Sequence, residues 1–113
     1  MIYTFTASED LEQLNVVKLT GELSVGKATE NTDTIIGVVL QSVKSGENVP
    51  VQLINEVLHG YAGATITAGD KLTVDTHGNV IPETTSGNPY FFVAITDAAI
   101  DEEVQFIPVK GTV

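Results

Sequence analysis

An all-β fold is what this sequence predicts, on three observations. Apolar and polar residues alternate at period two in several runs, most clearly at Ile36, Val38 and Leu40. Thr, Val, Ile and Gly are frequent, which favours pleated strands and tight turns over helices. Gly, Asn and Asp clusters punctuate the chain at short intervals, as hairpins require. The expected architecture is a small single-domain β-barrel or sandwich over residues 16–113, with a candidate internal duplication. A short N-terminal arm, residues 1–15 with at most one short helix, precedes it. A chain of 113 residues is one domain and buries roughly 65% of its unfolded surface, enough for a core without staples. Its 42% apolar content argues against disorder.

In the arm, residues 2–6 form a candidate strand, and Thr6-Ala-Ser-Glu9 has the form of a capping box opening a brief helix. Leu11 and Leu14 would give that helix one narrow apolar stripe, too little to hold it alone. The arm therefore packs on the domain, orders on a partner or stays loose. Residues 16–20 and 23–25 read as strands around a Gly21-Glu22 turn, and 30–33 as a polar loop. Residues 35–43 form a strong strand. Ile36, Val38 and Leu40 line one face and Ile35 and Val39 the other, which predicts burial on both sides. After a turn at 44–48, residues 49–58 read as a second long strand. Pro50 cannot donate to a ladder and belongs at its start or on an edge.

The middle, residues 63–80, reads as strand (65–67), turn (68–70), strand (71–75), and a hairpin turn at Thr76-His-Gly-Asn79. Residues 82–89, bounded by Pro82 and Pro89, make the longest polar loop. Residues 90–96 are the third strong strand, 97–103 a turn and 104–109 the closing strand.

A repeat emerges at an offset of 55. Ile36, Val38, Leu40, Glu47, Val49, Val51 and Ile54 overlay Phe91, Val93, Ile95, Glu102, Val104, Phe106 and Val109. Upstream, Leu23-Ser-Val-Gly26 overlays Ile66-Thr-Ala-Gly69 at an offset of 43, which implies an insertion in the second half at the 82–89 loop. The duplication implies two similar hairpin units closing one barrel or sandwich.

Chemistry-bearing residues are few. His59 and His77 each precede a glycine and read as exposed turn residues, although with Asp75 they are the one conceivable metal set. Asp70 and Asp75 lack the alternate-residue spacing of a Ca²⁺ loop and read as turn caps. No GxSxG elbow, GxGxxG or GxxxxGK[ST] occurs, so neither an enzyme nor a phosphate-bound cofactor is expected. Sugar faces stack on exposed rings, Trp above all, and there is no Trp. Tyr90, Phe91 and Phe92 lie in a core-supplying strand, which leaves Tyr3, Phe5 and Tyr61 as surface aromatics.

The net charge is −10, and all five basic residues are lysines. Acidity without arginine argues against a nucleic-acid surface. It fits a solvated acidic face or docking on a basic protein surface. With no Cys, disulfides and thiolate metal sites are excluded. The N-terminus lacks a basic region and long apolar run, so no signal peptide is expected. No window reaches the ~20 apolar residues of a membrane helix.

One family fits these residues. Gly26-Lys-Ala28, Ile36-Gly-Val-Val39, the Gly46-Glu47 turn and Val49-x-Val51 make the first part of its pattern. Gly63-Ala-x-Ile-x-Ala-Gly-Asp-Lys-Leu-x-Val-Asp-x-x-Gly-x-Val80 is the middle, and Val93-Ala94 with Glu102-Glu103-Val104 the end. Over residues 16–109 the chain resembles the small capsid decoration (cement) proteins of tailed bacteriophages. The resemblance implies a virion protein on the capsid exterior, assembled in the host bacterial cytoplasm. It implies the major capsid protein as partner, and a homo-oligomer, a trimer above all, without cofactor, nucleic acid or membrane. The candidate contacts are the arm (Ile2, Tyr3, Phe5, Leu11, Leu14) and an acidic turn end (Glu47, Glu102, Glu103). The alternative is a head-fibre or host- or glycan-binding β domain that would use Tyr90 and the 82–89 loop.

Overall fold

The computed structural model describes residues 1–54 and 56–113, and their regular structure is all strand. The first five strands are β1 (Ile2–Ala7), β2 (Val16–Gly21), β3 (Ser24–Lys27), β4 (Ile35–Val39) and β5 (Asn48–Leu53). They close into a barrel in the order β1-β3-β2-β4-β5, with β5 pairing back onto β1. The next five are β6 (Leu58–Tyr61), β7 (Lys71–Val74), β8 (Val80–Pro82), β9 (Pro89–Ala94) and β10 (Glu103–Thr112). They form a sheet in the order β6-β10-β9-β7-β8. A parallel bridge from Ala62 to Val80 links its two ends, as Ala7 and Val25 link β1 and β3.

The duplication is real and runs at one offset throughout. The bridge Leu11–Val43 recurs as Ile66–Ala98, and Ala7–Val25 as Ala62–Val80, each 55 residues on. The Ala7 N–H donates to the Glu47 carbonyl at 2.9 Å, and the Ala62 N–H to that of Glu102 at 2.9 Å. Ala7, Leu11, Val17, Val25, Val39, Val43, Val49 and Val51 form the first core. Their partners Ala62, Ile66, Leu72, Val80, Ala94, Ala98, Val104 and Phe106 all lie in the second. The 43-residue overlay is therefore a coincidence of turn composition, and the 82–89 loop is not an insertion: Leu11, not Leu23, matches Ile66.

Four local expectations change, the first being the strand at 65–67, which is only an isolated bridge of Ile66 to Ala98. Residues 6–9 do not open a helix, because β1 runs to Ala7 and Leu11 bridges to Val43. The stretch 49–58 is not one strand: β5 ends at Leu53 and β6 begins at Leu58, the junction between repeats, where Asn55 lies outside the described residues. Pro50 sits inside β5 of a closed barrel, opposite Thr4. Its carbonyl accepts the Leu40 N–H just past the end of β4, so its missing N–H falls where that ladder has stopped.

The repeats pack through one face of the first. Leu14, Val16, Ala28, Ile35 and Val38 turn away from their own barrel and join the second core. Successive strand residues point to opposite faces. Val16 and Val17 thus serve different cores, as do Val38 and Val39, so β4 is buried on both sides as expected. Its faces differ from the expected ones: a bulge between the Val17–Gly37 and Lys18–Ile35 pairs puts Ile35 with Val38 and Ile36 with Val39. The Val16 N–H donates to the Gly78 carbonyl at 2.8 Å and Asn15 Nδ2 to the His77 carbonyl at 3.2 Å, sealing the seam.

Candidate interaction surfaces

The first barrel has an open end. Its inward-facing row includes Val51 and Val25, and cross-strand pairing puts Tyr3 beside Val51 and Leu19 beside Val25. Tyr3 and Leu19 lie past the filled section and are 50% and 47% exposed. Phe5, Ile36 and Leu53 lie half-buried against the core below them, with Phe5 edge-on to Tyr3 at 5.4 Å between ring centroids. Leu23, in the β2–β3 turn, adds another exposed apolar side chain. Its φ is 51°, a backbone region that bulky residues rarely adopt, and the second repeat has Gly78 there at φ 78°.

The matching end of the second repeat is closed. Leu58 and Val74 stand where Tyr3 and Leu19 stand, and both are buried in a cluster with Leu14, Val16, Ile35 and Val38 of the first repeat. The outer face of one repeat caps the end of the next.

The acidic residues do local work. Asp70 Oδ2 accepts the Thr67 N–H at 2.9 Å; Asp75 Oδ1 accepts those of His77 at 2.8 Å and Asn79 at 3.0 Å. These are the expected turn caps. Asp33 Oδ2 accepts the N–H groups of Thr29 at 2.9 Å and Glu30 at 3.0 Å, and Lys18 Nζ lies 3.4 Å from Oδ1. Burial pushes the Asp33 carboxyl up, but these donors and the Lys18 charge outweigh it and hold it below the ordinary carboxylate range. Among the described residues no group of three His, Cys, Asp or Glu side chains is placed to hold a metal.

A family model for phage cement proteins matches residues 1–111. The chain belongs to the phage cement protein family. A solved structure described as the head fiber gp8.5 N base in bacteriophage phi29 shares its fold, with a TM-score of 0.81 and 20% identity over 100% of this chain and 97% of that one. A comparison with curated proteins gave no match.

The contact residues expected in this cement protein are not brought together. Ile2 and Tyr3 are exposed at the open end of the barrel, with Phe5 half-buried behind them. Leu11 and Leu14 are core, 2% and 9% exposed, and Leu11 exchanges two 2.9 Å backbone bonds with Val43. Leu11 presents almost no surface to a partner and Leu14 reaches it only at the edge of a cleft, because the stripe read as helical is the inner side of a bridge and turn. Residues 1–15 thus supply a barrel strand and core side chains. Glu47 lies beside Ala7, at the opposite end of β1 from Tyr3. Glu47 Oε1 accepts the Lys44 N–H at 2.6 Å and Glu102 Oε1 that of Ala99 at 2.7 Å, the same cap in each repeat. Glu103 Oε1 lies 2.7 Å from His59 Nδ1, and His59 belongs to β6 instead of a turn. That pair borders a cleft of about 280 Å³ at the repeat junction, shared with Leu14, Leu40 and Glu56. The 82–89 loop is tied to the chain's end, where the Gly87 N–H donates to the Val113 carbonyl at 2.8 Å and the Val113 N–H to that of Asn88 at 2.9 Å.

Leu19 and Leu23, the other half of the open end, are not among the expected residues. Their signal in the sequence was the replacement of Gly78 by Leu23, visible only at the right offset.

Proposed function

We propose that this chain is a decoration protein that binds the outer surface of an assembled phage capsid and stabilises it. The observation that carries this reading is the family match over residues 1–111. On this reading it acts as a homo-oligomer, a trimer above all, with the major capsid protein as partner, and joins the virion in the bacterial cytoplasm. Each copy contributes modest contacts, and oligomerisation makes them simultaneous, so that release needs all of them to break at once. The net charge of −10 suits a basic capsid face and makes attachment weaken as salt rises. No catalytic step belongs to this role. Mixing the purified protein with expanded capsids that lack it tests the reading. Co-sedimentation at saturating stoichiometry and a raised capsid melting temperature are expected; an unbound protein and an unchanged melting temperature would overturn it.

A second reading, a fibre base or glycan-binding head domain, is favoured by the fold shared with the head fiber base. It would use Tyr90, whose ring centroid lies 5.3 Å from Lys71 Nζ, and the 82–89 loop. Glycan-array binding that disappears when the loop is shortened would support it, and an empty array would dismiss it.

A further inference from the structure

Each chain carries one capped and one uncapped barrel end, and one used and one unused capping face. The capping face of the first repeat is made by Val16, Ile35, Val38 and the half-buried Ile54. Fifty-five residues on, the same positions hold Lys71, Tyr90, Val93 and Val109. Tyr90 and Val93 are only partly buried and Val109 is 37% exposed. Lys71 and Gly111 lie against the Tyr90 ring, but among the described residues none buries this second face, and none buries Tyr3, Leu19 and Leu23 at the open end of the first repeat.

We propose that copies of this chain join head to tail, the Tyr90–Val93–Val109 face of one copy capping the Tyr3–Leu19–Leu23 end of the next. This rests on the homo-oligomer part of the reading above and names the surfaces that make it. The seam inside the chain supplies the template. There, Val16 sits on Gly78, next to His77. The same contact between copies sets Lys71 on Leu23, next to Glu22. An ammonium thus meets a carboxylate at the rim of an apolar contact, in a chain with five lysines and no arginine. The Asn15 bond to the His77 carbonyl has no counterpart, because Asp70 in its place has no side-chain N–H. The contact between copies is accordingly weaker than the seam and more sensitive to salt. Being heterologous, it either closes into a ring or runs on as a filament, according to the rotation between repeats.

Light scattering after size exclusion decides the matter. Leu19→Glu and Leu23→Glu disable the open end, while Val93→Glu and Val109→Glu disable the capping face; circular dichroism melts select the variants that fold. The wild type is expected as an oligomer and each variant as a monomer. A mixture of one open-end variant with one capping-face variant has a single intact contact, and is expected at twice the monomer mass and no larger. Capping-face variants that keep the wild-type mass would overturn the proposal in favour of an end-to-end contact. Open-end variants that keep it, or a mixture that stays monomeric, would overturn it and leave the homo-oligomer standing. A wild type that is monomeric at every concentration would overturn both.

Discussion

Leu19 and Val74 hold the same position in the two repeats, yet Leu19 is 47% exposed and Val74 5%. The difference lies in what stands over them. Val74 shares its core with Val16, Ile35 and Val38 from the neighbouring repeat, whereas Leu19, at the end of its column, belongs to neither core. Val74→Ala should cost about 2 kcal/mol, because it removes buried methyls and leaves a cavity. Leu19→Ala in the isolated monomer should cost under about 0.5 kcal/mol. Urea titrations at matched slope check this, and equal losses would mean that the first barrel is not open.

Gly60 and Phe106 repeat the positions of Phe5 and Val51 with the bulk exchanged. A Cβ on Gly60 would come within 2.9 Å of Phe106 Cε1, so the larger ring needs the missing side chain. Gly60→Ala should destabilise by about 1–3 kcal/mol through overpacking. Phe106→Val should cost more, and the double variant less than the sum of the two. A double-mutant cycle by denaturant unfolding measures the coupling, and strict additivity would show that the two positions do not share volume.

Asp33 makes acid stability measurable at one residue. Its carboxyl is held below the ordinary range in the folded chain, because the Thr29 and Glu30 N–H bonds and Lys18 outweigh burial. The folded form therefore binds its proton more weakly than the unfolded one. This stabilisation is complete above the unfolded value of about 3.9 and is lost as pH falls through the lower folded value. Asp33→Asn should cost roughly 1 kcal/mol at neutral pH. The gap to wild type should close progressively below about pH 4. Unfolding curves from pH 7 to pH 2 test this, and a gap that does not change with pH would place the effect elsewhere.

The fold class could be read from alternation and turns because a strand's period survives any tertiary arrangement. The 55-residue repeat showed in Ile36, Val38, Leu40 and their partners, since β4–β5 and β9–β10 carry dense apolar patterns in both copies. It was lost upstream. Leu11 and Ile66 match, but sparse apolar residues around them let a chance Ser-Val-Gly against Thr-Ala-Gly pairing suggest a different offset. Leu11 and Leu14 misled for a related reason: a three-residue spacing fits one helical turn, and only Val43 and Val39, far along the chain, make it a bridge. The open end could be read only in part: Ile2, Tyr3 and Phe5 stand out in the sequence, Leu19 and Leu23 do not. Tyr3 and Leu19 are as apolar as Leu58 and Val74, and which pair is covered depends on how whole repeats stack.

The repeat also explains three unusual backbone positions. Leu14, Leu23 and Asp101 have positive φ, and their counterparts are Gly69, Gly78 and Gly46, also at positive φ. The backbone path thus requires the left-handed region at each site, and one copy in every pair meets it with glycine. Asp101 is the cleanest test, because it is exposed and its N–H bond to the Ala62 carbonyl at 2.8 Å survives substitution. Asp tolerates this region better than Ala, and Gly adopts it without a Cβ penalty. Asp101→Gly should be at least as stable as wild type. Asp101→Ala should fall below Asp101→Gly by about 1 kcal/mol, and Gly46→Ala should lose a similar amount against its own wild type. Thermal and urea unfolding of the three variants measures this. An Asp101→Ala variant as stable as Asp101→Gly would show that the turn relaxes to negative φ, and that its left-handed geometry is not imposed by the repeat.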